Sequence, residues 1–94
     1  MKIKLKVLIP ALSEAIGSRE LDVEFAGQTV NDLIEHLIKQ YGRRAKQALY
    51  DEKGELASVI QVLLDGKQWV PHDQLDTTLQ DGTDVMFMIL LGGG

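Results

Sequence analysis

Two segments near the start of the chain alternate strictly between charged and apolar residues, and this alternation constrains the fold most strongly. Lysines alternate with Ile, Leu and Val in residues 2–7 (KIKLKV), and acids alternate with Leu, Val and Phe in residues 20–25 (ELDVEF). A period of two places the apolar side chains on one face of a β-strand and the charges on the other. Residues 10–17 (PALSEAIG), a loop or short helical turn, separate the two segments. We therefore predict an antiparallel pair of strands with one buried face.

The next segment has the period of a helix. Its apolar residues form one stripe along a helical surface: Val30, Leu33, Ile34, Leu37, Ile38 and Tyr41. Thr29 is a candidate N-cap, Asp32 stands where a capping-box acid would, and Gly42 follows the last residue of the stripe. These features predict one main helix, and residues 43–50 (RRAKQALY) predict a second, shorter one.

Two more strands are predicted in the second half of the chain. Residues 58–64 (SVIQVLL) lead into a turn at Asp65-Gly66, and residues 84–91 (DVMFMILL) follow an irregular stretch. If the first and last strands lie side by side in a mixed sheet, with the helix across it, all the apolar faces are buried together. We therefore predict an α+β, β-grasp fold: a mixed four- to five-stranded sheet with one main helix packed across it, spanning residues 1–91. Residues 92–94 would form a flexible glycine tail.

The side-chain composition argues against several classes of functional site. The 94 residues include no cysteine, which excludes disulfides, iron–sulfur clusters and thiol nucleophiles. His36 and His72 are too few for a histidine metal cage, and no phosphate-binding loop or catalytic-triad pattern is present. The net charge of -4 argues against nucleic-acid binding, and no apolar run is long enough to span a membrane. We expect a cytoplasmic protein without a metal, a bound cofactor or a catalytic site of its own.

Three glycines, Gly92, Gly93 and Gly94, follow the last predicted strand. One interpretation is a frayed terminus, since glycine loses the most conformational entropy on ordering. The other is that the free carboxylate of Gly94 is the reacting group. Three extended residues reach about 10 Å, and without Cβ atoms they could enter a narrow channel. Because a carboxylate must first be activated, for example as an acyl-adenylate, the tail would have to enter the nucleotide site of another protein.

The C-terminal twenty residues, 75–94 (LDTTLQDGTDVMFMILLGGG), resemble the MoaD/ThiS-like ubiquitin-like sulfur carriers. The matching positions are Leu75, Asp76, Leu79, Gly82, Asp84, Val85, Gly93 and Gly94. Residues 10–17 resemble the loop after the first strand of that family. Residues 49–69 (LYDEKGELASVIQVLLDGKQW) resemble the middle of its longer members, including the CysO type. The resemblance covers nearly the whole chain.

The resemblance implies a carrier rather than an enzyme. An ATP-dependent activating enzyme of the MoeB/ThiF type would adenylate Gly94, which would become a thiocarboxylate that delivers sulfur, with Gly93 as the flexible approach. The carrier would bind no cofactor, since the partner uses the ATP. The resemblance favours molybdopterin (molybdenum or tungsten cofactor) biosynthesis, with the large subunit of molybdopterin synthase as a second partner.

The chain also departs from that family pattern near the tail and in the first loop. Ser13 replaces an arginine, Ile89-Leu90 replaces a pair of prolines, and Gly92 replaces an alanine. Other destinations for the sulfur therefore stay open: cysteine, thiamine or tRNA thiolation. Two other functions also stay open. One is a ubiquitin-like modifier joined through Gly94 to lysines, and the other is a plain interaction module with a disordered end.

The same alternation predicts a docking surface. If Val85 and Phe87 point into the core, the methionines beside them face outward, as does the leucine between Val62 and Leu64. We expect these outward residues to bind partners together with the tail: Leu8, Leu63, Met86, Met88, Gly92 and Gly93. The alternative is that they are isolated apolar residues of an ordinary surface.

Overall fold

The structure, a computed structural model, describes residues 1–90. Its elements in chain order are β1 (Lys2–Leu8), α1 (Pro10–Ile16), β2 (Glu20–Glu24), α2 (Val30–Tyr41), α3 (Arg43–Leu49), β3 (Ile60–Leu64), β4 (Gln68–Val70) and β5 (Asp84–Ile89). A 3-10 turn at His72–Gln74 precedes β5. None of the helices in this part of the chain has the length and apolar composition needed to cross a membrane.

The five strands form one mixed sheet in the order β2-β1-β5-β3-β4. The first and last strands, β1 and β5, are parallel neighbours at its centre, and all other neighbouring strands are antiparallel. This arrangement confirms the predicted β-grasp fold. One detail differs from the prediction, because residues 10–16 form a complete helix. The sheet has five strands, within the predicted four to five, and the fifth is β4, which follows the Asp65-Gly66 turn.

One core lies between the sheet and the helices. Phe87 on β5 is paired with Val7 on β1 and with Val62 on β3, and all three side chains are fully buried. The first four residues of the α2 stripe are also fully buried, and the last two are partly buried against the core. Since one face of every strand packs inward, the opposite face of the sheet is the one left to meet other molecules.

A capping box begins the main helix, as the sequence predicts. The Thr29 hydroxyl accepts the Asp32 N–H at 3.1 Å, and the Asp32 carboxylate accepts the N–H groups of Gln28 and Thr29 at 2.9 and 3.1 Å. These hydrogen bonds hold the pKa of Asp32 below its ordinary value. Gly27 leaves room for this arrangement, since a Cβ there would collide with the Asp32 side chain.

We expect Thr29→Ala to lower the free energy of unfolding by about 1 kcal/mol, because it removes one partner of the capping box. Gln40→Ala, at an exposed position near the end of the same helix, is the matched control and should have little effect. Urea denaturation of both variants measures the difference. Equal stability of the two variants would show that the cap contributes nothing.

The stability contributed by the Asp32 carboxylate should depend on pH. Because its folded-state pKa is lowered, the contribution is complete above the ordinary pKa of 3.8 and is lost as the pH falls through the folded-state value. The stability difference between the wild type and Asp32→Asn should therefore shrink on acidification below that pH. Denaturation midpoints measured from neutral to acidic pH test this, and a pH-independent difference would contradict it.

Candidate functional site

The outward-facing side of the sheet is the candidate functional site. Its residues are brought together by strand register rather than by proximity in sequence. Met86 on β5 is paired with Lys6 on β1 and with Leu63 on β3, and Leu63 is paired in turn with Trp69 on β4. A single row therefore crosses four strands, and three of its four side chains are apolar.

A second row lies nearer the end of β5. Met88 is paired with Leu8 on β1 and with Gln61 on β3. Beyond it, the Leu90 N–H donates to the Val59 carbonyl at 2.8 Å, which continues the register by one more pair. Apolar side chains thus extend along β5 as far as the last residue that the structure describes.

We call this surface the outer apolar patch, and its residues are Leu8, Val59, Leu63, Trp69, Met86, Met88 and Leu90. It contains all four large apolar side chains that are exposed within residues 1–90: Leu8 at 50%, Val59 at 44%, Trp69 at 51% and Leu90 at 53%. Their collection on one face, with the other face buried, is typical of a surface that binds another protein.

The structure places the four sequence-predicted docking residues within this patch. Leu8 is exposed as expected, but Leu63, Met86 and Met88 are partly buried. The reason is their position inside the sheet, where long side chains on neighbouring strands cover part of them. Gly92, Gly93 and Gly94 lie outside the described residues, as does the boundary predicted after Leu91, so these remain predictions.

Charged side chains occupy the half of the outer face formed by β1 and β2. The three lysines of β1 are paired in register with the three acids of β2: Lys2 with Glu24, Lys4 with Asp22 and Lys6 with Glu20. The ion-pair distances are 3.5 Å from Lys6 Nζ to Glu20 Oε1 and 4.0 Å from Lys2 Nζ to Asp22 Oδ2. These pairs are solvent-exposed and therefore stabilise the fold little. The outer face of the sheet therefore has one apolar half and one charged half.

A shallow depression of about 640 Å³ joins the two halves. On the side of β1 and β2 it is lined by Lys4, Lys6, Glu20 and Asp22. On the side of β3 and β5 it is lined by Leu63 and Met86 together with Asp65 and Asp84. A partner that fits this face must therefore present apolar side chains next to charged or polar ones. Within residues 1–90, no three His, Cys, Asp or Glu side chains come close enough together to hold a metal ion.

Strand β5 ends beside the patch. Because β5 runs parallel to β1, its end lies next to Leu8, the last residue of β1. Leu90 follows directly, and its side chain belongs to the patch. The last residue that the structure describes therefore lies at the border of the patch.

Three patch residues, Val59, Trp69 and Leu90, were missed by the sequence analysis. The signal for Trp69 was present in the turn before it. Asp65 and Gly66 have φ values of 52° and 68°, and two consecutive positive φ values are the mark of a tight hairpin turn. A hairpin pairs the residues that follow the turn with β3, which places Trp69 opposite Leu63.

Comparison with known proteins yields a family match and several structural neighbours. The model described as the ThiS family matches residues 7–94. The small archaeal modifier protein 1 (SAMP1) of Methanosarcina acetivorans is 29% identical, with a TM-score of 0.74, and the match covers 99% of this chain and 96% of that one. No curated protein matches the chain.

Two further solved structures share the fold at lower identity. SAMP1 of Haloferax volcanii is 24% identical over 100% of both chains, with a TM-score of 0.77. A chain in the Amycolatopsis orientalis BexX/CysO complex is 20% identical, with a TM-score of 0.72, and the match covers 98% of this chain and 99% of that one. The sheet order and the helix placement described above are therefore those of ubiquitin-like β-grasp proteins.

Proposed function

Because the chain belongs to the ThiS family of ubiquitin-like carrier and modifier proteins, we propose that it is a sulfur carrier that acts through the carboxylate of Gly94. An ATP-dependent activating enzyme adenylates this carboxylate and releases pyrophosphate. A sulfur donor then displaces AMP, which leaves a thiocarboxylate that can transfer sulfur. The observation that carries the proposal is the family match itself, which extends through the three glycines to residue 94.

The outer apolar patch supports this proposal because it is an exposed apolar surface beside the end of β5, where an activating enzyme would dock. An enzyme that adenylates Gly94 must hold the segment after Leu90 in its nucleotide site, and the patch includes Leu90. Methionine side chains adapt their shape to different partners. Met86 and Met88 at the centre of the patch therefore suit a carrier that docks first on an activating enzyme and then on an acceptor.

We further propose molybdopterin biosynthesis as the destination of the sulfur, with the large subunit of molybdopterin synthase as the acceptor. The support is the sequence resemblance of residues 75–94 to the MoaD-like carriers. The competing destinations are cysteine, thiamine and thiolated tRNA. Assay of the thiocarboxylated chain with each class of acceptor system distinguishes them, because only the correct acceptor would consume the thiocarboxylate.

A ubiquitin-like modifier is the second candidate function. It is favoured by the 29% identity to the M. acetivorans protein, which is described as a modifier. In this case a lysine amine, rather than a sulfur donor, attacks the activated Gly94 carboxyl group and forms an isopeptide bond. Both functions share the adenylation step and the docking surface, so they differ only in the nucleophile.

Mass spectrometry of the protein isolated from its native cells tests both candidates. An intact mass that shows one oxygen replaced by sulfur, mapped to the peptide containing Gly94, would establish the carrier. Branched peptides that join Gly94 to a lysine would establish the modifier instead. A variant lacking Gly94, expressed in the same cells, is the control and should show neither product. A wild-type chain with an unmodified C-terminal peptide under sulfur-demanding growth would contradict both proposals.

A further inference from the structure

Strand β2 is one of the two edges of the sheet, and it is the longer of them. It has five residues, whereas β4 at the other edge has three. An edge strand presents backbone N–H and C=O groups that no neighbouring strand uses, and these groups can accept a further strand from another molecule. The sheet could therefore be extended beside β2.

The hydrogen bonds to β1 show which residues of β2 have free backbone groups. At the two ends of the pair, the Phe25 N–H donates to the Met1 carbonyl at 2.9 Å and the Val7 N–H donates to the Arg19 carbonyl at 2.8 Å. Hydrogen-bonded and non-hydrogen-bonded pairs alternate along antiparallel strands. The odd-numbered residues of β2 therefore bond to β1, and the even-numbered ones turn their backbone groups to the open edge: Glu20, Asp22 and Glu24.

One end of this edge is already closed by a side chain. The Ser18 hydroxyl donates to the Glu20 carbonyl at 2.7 Å and accepts the Glu20 N–H at 3.2 Å. Asp22 and Glu24 have no such partner in the part of the chain that the structure describes, so the N–H and C=O of both residues remain open. An added strand of about three residues could bond to all of these groups.

The side chains at the edge determine what the added strand must carry. Asp22 is 60% exposed although it lies 4.0 Å from Lys2, and Glu24 forms no ion pair among residues 1–90. Both carboxylates can therefore accept a cation from the open side of β2. On the inner face, Leu21 packs against the core but is only partly buried. An apolar side chain beside Leu21 would complete its coverage.

We propose that β2 binds an extended segment of another protein, in which basic and apolar residues alternate, as a sixth strand of the sheet. Strand β1 is the model for this segment, because its lysines and apolar residues alternate in the same way and pair with β2 from the other side. The site lies at the opposite edge of the sheet from β4. It is independent of the reaction proposed for Gly94.

A second copy of the chain does not fit this edge. Two β2 strands side by side would place acids opposite acids, which is destabilising. The other edge strand, Gln68–Val70, has no lysine or arginine to offer. Charges on an edge strand commonly prevent identical molecules from pairing. The acids of β2 therefore oppose self-association but attract a basic segment.

Peptide binding followed by amide hydrogen exchange tests the proposal on the unaltered chain. The probe is an acetylated and amidated peptide with the sequence of β1, KIKLKVL. In the saturated complex we expect exchange of the Asp22 and Glu24 amides to slow about tenfold or more, because they become hydrogen-bond donors. The Leu21 and Val23 amides, which already donate to β1, should change little. Failure of the peptide to bind, or binding that leaves Asp22 and Glu24 unprotected, would overturn the proposal.

Three matched peptides separate charge from strand pairing. The charge-reversed peptide EIELEVL should not bind, and KKKILVL, which keeps the charge but not the alternation, should bind at least about tenfold more weakly. Methylation of the backbone nitrogen of the third residue, a lysine, should abolish binding, because that N–H faces β2. The same change at the fourth residue, a leucine whose N–H faces away, should be tolerated. Equal binding of KIKLKVL and KKKILVL would mean unspecific attraction and would contradict strand addition.

Two variants of the protein complete the test. Glu24→Lys should weaken binding of KIKLKVL about tenfold, since it replaces attraction by repulsion. Glu14→Lys makes the same change of charge at an exposed position on α1 and should have little effect. Equal weakening by both variants would argue against contact at β2. Protection of the Asp22 and Glu24 amides that rises with the concentration of the chain alone would assign the edge to a second copy and overturn the proposal.

Discussion

Deletion of Gly94, or replacement of Gly93 by valine, should abolish adenylation while leaving the melting temperature of the protein unchanged. The deletion moves the carboxylate one residue back from the α-phosphate of ATP. The valine adds a branched Cβ in a segment that must pass through a narrow channel. The fold should be unaffected, since the core described above is built from residues that precede both positions.

ATP–pyrophosphate exchange and thermal unfolding, measured on the same samples, check this result. Gly54→Ala is a useful comparison, because Gly54 has a φ of 78° in a loop between α3 and β3. There the added Cβ strains the backbone, so we expect a lower melting temperature with adenylation retained below it. A large loss of stability in the Gly93 or Gly94 variants would instead mean that these residues are structural.

The second large effect is expected at the centre of the outer apolar patch. Met86→Glu should weaken binding to the activating enzyme by at least about 100-fold, equivalent to about 2.7 kcal/mol. The new carboxylate stays hydrated in the free protein, because Met86 is partly exposed, but loses its water when the enzyme covers the patch. We therefore expect a change in affinity that is much larger than any change in folding stability.

Isothermal titration calorimetry with the enzyme gives the affinity, and urea denaturation gives the stability. The matched control is Gln47→Glu, which adds the same charge at an exposed position on α3, on the helical side of the molecule. It should bind like the wild type. Equal weakening by both variants would point to long-range electrostatics rather than contact, and an unaffected Met86→Glu variant would remove the patch from the interface.

Much of the fold could be predicted from local patterns, because the strongest elements combine periodicity with a clear end signal. The main helix shows this best, since its stripe, its Thr29 cap and Gly42 all agree and the structure begins and ends α2 at those positions. Strand β4 could not be predicted from its own residues. It has three residues, only one of them buried, and Pro71 follows it directly, so the strand depends on its hairpin partner.

The outer apolar patch was only partly predictable for a related reason. Alternation along β5 shows which side chains point away from the core. It does not show how much of each side chain is covered by residues on neighbouring strands. Met86 is partly buried because Leu63 and Lys6 flank it on adjacent strands, and that flanking depends on the register between segments far apart in sequence. Two residues of the family pattern, by contrast, have a clear structural role. Leu79 is buried in the core, and Gly82 has a φ of 85° in a turn, a backbone conformation that favours glycine.

The central position of β5 also affects how the protein folds during its synthesis. Lys4 on β1 is paired with Asp84 on β5. Because these residues are far apart in sequence, the two central strands can pair only after β5 has been synthesised. A chain interrupted before β5 would leave β1 and β3 each with an open edge, a condition that promotes aggregation. Such a fragment would also lack both methionines of the patch. An enzyme that recognises this surface would therefore not bind a fragment that lacks β5.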